Sequence, residues 1–444
     1  MALRYRILFQ SYDDETPDTI LNEKPLADDS ATAPTNCLDF SMGLANQIAL
    51  IEKAQDSIID LKLKVLQSIL GECPKCGEKL HKYGIQKSTF HDVLTDHNIE
   101  VQRLKCYGCG YEPPSTVRTI INTIQSGDLT RIQATLGANF SYRETQDILE
   151  LFSTVPRLTN NYDRIRTSTE TVGKAVEKIN KTEKELALVS EAEELVLNVD
   201  GGHVKTTDKD KRSMEAMTSV LYRPEALESN SKGTRNYLKN KNCAASVKND
   251  NQQEIINGTI FAALRQGMTE NTHITALCDG AANCWNIVDA LNPLCGSMTY
   301  ILDWFHLAMK LENISLPKKM KDKLMRIKWH LWRGKTETAL TRLQQLIEIA
   351  AHEKHAERLK NFMTYITNNC KRIVNYRERK KAGLVFTSNL AESTVESLIN
   401  RRCKGQQHMR WSREGLEPIL QLRAAINSKG DWVNKWRTAV LNAA

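Results

Sequence analysis

Apolar and polar positions recur along this chain with several periods, and each period predicts a different element. Between Ser41 and Leu70, the apolar residues Ile51, Ala54, Ile58, Leu61 and Val65 fall at alternating steps of three and four. That spacing predicts a helix bearing a short coiled-coil seam. A helix packed on its own domain and a dimerisation helix fit the pattern equally. The alternation at Ile99, Val101, Arg103 and Lys105 predicts short strands after it. Beyond Pro113-Pro114, residues Arg131–Phe152 form two short helical stretches around Gly137-Ala138-Asn139, with Ser141 and Glu144 spaced as a capping box. A helix-turn-helix and an ordinary helical hairpin both match. In a helix-turn-helix the second helix offers Tyr142, Arg143, Thr145 and Gln146 to a DNA groove. A connector helix is predicted over about Asn161 to Leu188.

Further on, apolar runs close on acids. Glu194–Val199 leads into Asp200-Gly201-Gly202, and His273–Cys278 leads into Asp279-Gly280. The run starting at Met298 ends at Asp303. Each reads as a buried strand delivering a carboxylate at its tip, with Met214–Pro224 a further strand and Gln252–Gln266 and Ala281–Leu291 helices. From Leu307 to Gly383 the pattern is helical, including the basic stretch Pro317–Lys335 with Trp329 and Trp332. We expect its lysines and arginines outward and at least one Trp inward. Glu392 and Glu396 then lie one helical turn apart. Glu392 also stands where a capping partner of Asn389 would be.

The chain has 444 residues, enough for two to four domains. No apolar run reaches the roughly 18 residues of a membrane span, and the acidic N-terminus argues against a secretion signal, so a cytoplasmic protein with no membrane partner is expected. Net charge is +8, with the first sixty residues acidic and Lys318–Lys335 and Arg377–Lys381 basic. Residues 1–36 are expected without regular structure.

Two Cys-x-x-Cys-Gly knuckles, Cys73–Gly77 and Cys106–Gly110, supply four thiolates from two tight turns. That is the donor set of one structural, tetrahedral Zn²⁺, and it predicts a zinc ribbon over 72–114 with Cys73, Cys76, Cys106 and Cys109 as ligands. His81, His91 and His97 are not needed as ligands and are expected at the surface. Clustered carboxylates, in turn, repel unless cations neutralise them. Two Mg²⁺ or Mn²⁺ ions roughly 3.5–4 Å apart suit in-line phosphoryl displacement.

The stretches DGG (200–202), DGAANCWNIVDALNP (279–293), DWFHLAMKL (303–311), YRERKKAGL (376–384), AES (391–393) and the block from Arg402 to Trp432 together resemble the ISKra-type (Kra-four) bacterial insertion-sequence transposases, of the ribonuclease-H-like DDE group. The resemblance implies a multidomain α+β chain. Its parts are a helix over 37–71, the zinc ribbon, a helix-turn-helix-like region and connector over 115–190, and a ribonuclease-H-like catalytic domain. That domain spans 191–306 and 387–444, interrupted by an all-α insertion at 307–386. It implies catalytic Asp200, Asp279 and Glu392, with Glu396 an open alternative because Thr387–Ala391 lacks the family's glycines. Asp303 and His306 would be accessory, or His306 core. The implied partner is double-stranded DNA, bound by a homo-oligomer, with Arg143, Gln146, Lys318, Lys319, Arg326, Arg333, Lys404 and Arg410 as candidate contacts. The implied activity is metal-dependent DNA cleavage and strand transfer. A catalytically inactive DNA-binding regulator and a ribonuclease-H-like nuclease or resolvase are the alternatives.

Overall fold

The computed structural model describes residues 3–37, 39–68, 71–114, 124–182, 189–229, 236–388, 396–404 and 409–428. The chain divides into two compact units, the boundary falling at Thr169/Glu170. It is a mixed α+β, multidomain chain, and among the described residues no helix is long and apolar enough to cross a membrane.

The first unit begins with a hairpin, β1 (Leu3–Asp13) and β2 (Thr16–Ala31). This corrects the expectation of an irregular N-terminus. Much of the polar segment is paired across the hairpin: Arg6 pairs with Asp28 at 2.6 Å, and the Gln10 amide donates to Glu23. Helix α1 (Leu44–Ser68) follows. Its Ile59, Leu63 and Leu66 pack on Ile99 and Val101, residues of β4 (Asp96–Lys105), which pairs antiparallel with β3 (His81–His91). The seam residues Ile51, Ile58 and Val65 stay exposed. The ribbon's histidines depart from the surface reading at one position: His97 is buried, its Nδ1 2.6 Å from Asp56 of α1. An exposed carboxylate on a neighbouring helix gives a buried imidazole its partner, which sequence spacing does not reveal.

Two short helices come next, α2 (Gly127–Asn139) and α3 (Tyr142–Glu150), joined by Phe140 and Ser141. The capping box forms in both directions between Ser141 and Glu144. Gly137 lets α2 approach its neighbour, since a Cβ there would stand 2.3 Å from the Thr169 hydroxyl. Arg157 anchors this region to the ribbon. Its buried guanidinium bonds to Asp96 and to the carbonyls of Asp92, Val93 and Thr95. Helix α4 (Tyr162–Thr182) spans the boundary between the units. The connector therefore belongs partly to each, where the sequence put the second domain's start at 191.

The second unit is built on a five-stranded sheet. Its strands are β5 (Glu194–Lys205), β6 (Ser213–Tyr222), β9 (Asn242–Ser246), β10 (His273–Cys278) and β11 (Ser297–Leu302), in the order β11-β10-β5-β6-β9. A small ribbon, β7 (Leu227–Ser229) and β8 (Asn236–Leu238), lies between β6 and β9 in sequence. The β5, β10 and β11 strands are parallel, and β6 runs antiparallel to both its neighbours. Parallel neighbours require crossovers, and α5 (Gln253–Arg265) and α6 (Ala282–Asp289) supply them. Both pack on one sheet face, burying Ile255, Ala262, Trp285 and Val288 against Leu195, Leu197, Val199, Met217 and Ala276.

After β11 the chain is helical: α7 (Trp304–Glu312), α8 (Lys318–Trp332), α9 (Thr336–Glu348), α10 (Glu353–Asn368) and α11 (Tyr376–Lys381). Of the two tryptophans on α8, Trp332 joins an aromatic cluster with Trp304, Tyr376 and Phe386, and Trp329 is exposed. A π-helical turn (Glu396–Asn400) and α12 (Arg413–Asn427) close the described chain. Gly173 of α4 is needed where α12 passes, because a Cβ there would lie 2.2 Å from the Pro418 carbonyl oxygen.

Arg157→Met should destabilise the first unit by roughly 2 kcal/mol, since it removes a buried donor from Asp96 and three carbonyls, although Asp96 keeps His91 and the Thr95 carbonyl keeps the Asp92 N–H. Chemical denaturation followed by circular dichroism measures it. A change under about 0.5 kcal/mol, the range of an ordinary surface substitution, would refute the anchoring role.

Candidate active site and metal centre

Register fixes the acids. Cys278 pairs with Val199 on one side and with Leu302 on the other. The next residue on each strand path is Asp279, Asp200 and Asp303. Three acids thus stand in one row across β5, β10 and β11, about 5 Å from strand to strand. Within β5, alternation turns Asp200 away from the face on which Val199 and Cys278 meet α5 and α6, while Asp279 and Asp303 directly follow the last residues of β10 and β11.

Asp200 is not at a strand tip, as the apolar run suggested. Strand β5 continues to Lys205, with Asp200, Gly201 and Gly202 paired to Thr218, Met217 and Ala216 of β6. What ends at Val199 is the pairing with β10. Beyond it, Ile399 covers Gly202 and the Trp411 backbone pairs alongside Thr206 at the end of β5. The Asp200 Oδ1 accepts from the Gly201 N–H at 2.7 Å. Burial raises the Asp200 pKa; His306 and the Gly201 N–H oppose the rise, and Asp279 and Asp303 add to it.

Asp279 sits on the turn that leaves β10, its Oδ1 accepting from the Ala281 N–H at 2.9 Å. Gly280 has φ +93°, and a Cβ there would meet Tyr365, Asn369 and Leu302 at 2.8–2.9 Å. Only glycine fits that turn without displacing its neighbours. Helix α10 holds the turn from above: the Tyr365 hydroxyl donates to the Asp279 carbonyl at 2.7 Å, and the Asn369 side chain bonds both the Gly280 carbonyl and the Trp285 indole. Sequence inspection singled out neither Tyr365 nor Asn369. They lie more than eighty residues from the turn, and polar residues on a helix carry no sign of what they touch.

Asp303 is fully buried and fully engaged. It N-caps α7 through Phe305, accepts from Ser388 through both the backbone N–H (2.9 Å) and the hydroxyl (2.6 Å), and lies 2.7 Å from His306 Nδ1. His306 is therefore a half-buried partner of this carboxylate rather than core packing. Burial opposes charge on both groups, yet the bonds from His306 and Ser388 hold Asp303 below the ordinary carboxylate value. Against its own burial, His306 is held above its usual value by Asp303, with Asp200 and Asp279 contributing.

Glu392 lies outside the described residues, as does the Glu396 side chain, although Glu396 opens the π-helical turn. The chain on either side is tied to the acid row. Ser388 is bonded to Asp303, and the Ile399 side chain covers Gly202, where a Cβ would come within 3.2 Å of it. The buried Arg423 of α12 fixes the following turn by donating to the Leu398 and Ser397 carbonyls.

The other candidate residues are dispersed. Lys318, Lys319, Arg326 and Arg333 are exposed on or just after α8. Lys319, Lys323, Arg326, His330 and Arg333 follow one another at steps of three and four, so they share one face beside the exposed Trp329. Lys404 is exposed with its Nζ 3.5 Å from where a Gly202 Cβ would be, and Arg410 is exposed. On α3, Arg143 lies over the Tyr162 ring and Gln146 bonds Glu150 and the Tyr162 N–H. Thr145, expected to face a DNA groove, is fully buried, because its position on α3 faces the core with Leu149.

The four knuckle cysteines converge. Their sulfur atoms all lie within 4.8 Å of one another, with Cys73–Cys109 at 3.6 Å and Cys76–Cys106 at 3.4 Å. A tetrahedral zinc with Zn–S of about 2.3 Å sets sulfurs about 3.8 Å apart, so the cluster fits a single such ion. Both turns are built alike: the Gly77 N–H donates to the Cys73 carbonyl and the Gly110 N–H to the Cys106 carbonyl, with φ +77° and +71°. Among the described residues this is the one group of three or more His, Cys, Asp or Glu side chains whose ligand atoms gather around one point.

The chain belongs to an uncharacterised protein family, UPF0236, which it matches over residues 134–438. Two curated relatives from Caldanaerobacter subterraneus subsp. tengcongensis, both described as UPF0236 proteins, are 28% and 27% identical over 270 residues, or 60% of this chain. The chain spans about half the length of these relatives, 53% of each.

Two measurements check the site. Purified protein should carry one zinc per chain by elemental analysis and lose it on Cys76→Ser; absence of zinc in protein refolded with zinc sulfate would refute the metal centre. The Asp303–His306 pair makes stability pH-dependent. The His306 contribution is complete below its unfolded value of about 6.5 and is lost as pH rises through its higher folded value; that of Asp303 is lost as pH falls through its lowered value. Unfolding free energy in EDTA should therefore decline just above pH 6.5 in the parent and stay flat in His306→Gln. Identical profiles would refute a charged pair.

Proposed function

We propose that this protein is a DDE-type DNA transposase in which Asp200, Asp279 and Glu392 hold two Mg²⁺ or Mn²⁺ ions for cleavage and strand transfer at the ends of a mobile element. The observation that carries the reading is the acid row: Asp200 and Asp279 side by side on adjacent strands, with both flanks of the segment bearing Glu392 tied to the same place. The strand order, with β6 antiparallel between β5 and β9 and β10 and β11 added in parallel, is that of ribonuclease-H-like domains and supports the same conclusion. The raised pKa of Asp200, caused by burial and reinforced by Asp279 and Asp303, is relieved by a cation. The motifs shared with ISKra-type transposases agree with this arrangement.

Bound divalent ions would activate the attacking hydroxyl and stabilise the leaving oxygen in an in-line displacement at phosphorus. The chain's own residues do the positioning. Tyr365 and Asn369 hold the Asp279 turn, and Asp303 holds Ser388 and orients His306 beside the acids. In this reading the basic face of α8 and Lys404 would contact phosphates, giving binding a strong salt dependence. The zinc ribbon and the α2–α3 hairpin are the recognition modules for double-stranded DNA in this reading, with Arg143 and Gln146 as contacts.

The test is Mg²⁺-dependent cleavage and joining of labelled DNA taken from either side of the gene. Asp200→Ala and Asp279→Ala should each lower joining by at least ~10²-fold, the usual scale for losing an electrostatic catalytic group. Glu392→Ala should do the same and Glu396→Ala should not; the reverse moves the third acid by one helical turn. Cutting without joining would make the protein a nuclease, and undiminished joining by Asp200→Ala would overturn the catalytic assignment.

A further inference from the structure

We propose that α1 is a homodimer interface, pairing with α1 of a second copy of this chain as a two-stranded coiled coil. Two faces of this helix have different work. One is used inside the first unit, where Ile59, Leu63 and Leu66 pack on the ribbon strands. The other carries Leu44, Ile51, Ile58 and Val65, which are 49%, 41%, 37% and 65% exposed. These four stand seven residues apart throughout.

A strict seven-residue step points to the partner. A straight helix has 3.6 residues per turn, so such a stripe drifts about 20° per heptad and stays on one side only if two helices supercoil around each other. Ala54 and Leu61 occupy the alternating position between the exposed residues, completing knobs for a partner helix. The β-branched Ile51, Ile58 and Val65 at the seven-residue positions favour a two-stranded assembly. None of the seam positions is charged, as in the desolvated centre of an interface, while Lys62 and Lys64 lie exposed on its flanks. The same sequence in a second copy supplies the matching seam.

A second observation continues this surface. The β1–β2 hairpin is two strands deep, and among its described residues Leu26 alone is buried, while Leu3, Leu8, Tyr12 and Ile20 are exposed. Two-stranded ribbons are marginal in water unless something covers a face. The hairpin adjoins α1, where Lys53 donates to the Leu26 carbonyl at 3.2 Å. The hairpin thus offers further exposed apolar side chains beside the helix that carries the seam.

Sedimentation velocity on the full chain, zinc-replete and without DNA or Mg²⁺, tests this. The parent should sediment as a dimer at tens of micromolar. Ile51→Asp/Ile58→Asp should sediment as a monomer with unchanged circular dichroism and zinc content, and Ile51→Leu/Ile58→Leu should remain dimeric. Val65→Asp, at the most exposed seam position, should raise the dimer dissociation constant at least tenfold without affecting the fold. A monomeric parent, or a dimer that survives Val65→Asp and the double aspartate change undiminished, would overturn the proposal. Because no DNA or divalent ion is present, either result is independent of the catalytic reading.

Discussion

Everything in the second unit depends on how three parallel strands are registered. With Val199, Cys278 and Leu302 level, the residues that follow them are all acids, gathered at one end of the parallel strands. A slip of one residue in β5 would turn Asp200 into the apolar core, where an unpaired carboxylate is costly. The register is therefore enforced twice, by the core face through Leu197, Val199 and Ala276, and by the need to keep charge out of it. The arrangement still places like charges together, and the protein meets that in part with His306.

The three acids are not equivalent. Asp303 is enclosed and saturated with donors from His306, Ser388 and Phe305, so it behaves as a structural anchor that draws a distant segment to the sheet. Asp200 and Asp279 keep oxygens free of such enclosure, each satisfied mainly by a neighbouring backbone N–H. That division separates groups that organise the site from groups placed to meet a cation or substrate. The helical block after β11 has an organising part as well: Tyr365 and Asn369 reach the Asp279 turn, and Trp332 and Tyr376 pack against Trp304 at the start of α7. A chain segment that interrupts the sheet in sequence thus supports it in space.

The metal centre and α1 show the same economy in the first unit. Four sulfurs come from two turns of identical construction, each closed by a glycine with positive φ, and the strands between them form the surface on which α1 rests. Sequence periodicity alone left two uses for α1 open. The fold uses one face for the ribbon and leaves the other outward, so the two uses do not compete.

By itself the sequence determined whatever depends on neighbours close along the chain. The knuckles, the Ser141–Glu144 capping box, the buried strands and the acids that follow them were all legible, because thiolate spacing, helix caps and side-chain alternation are local. It misread the N-terminal hairpin, the buried His97, Thr145 and the mid-strand place of Asp200, since pairing partners and the face a helix turns to the core are set by packing and not by composition. That three acids would gather at one sheet edge was expected; tertiary structure alone decided the order β11-β10-β5 in which they stand, that Ser388 is tied to Asp303, and that α10 steadies the Asp279 turn. Strand register and long-range hydrogen bonds impose those choices, and no local pattern of residues encodes which strand will lie beside which.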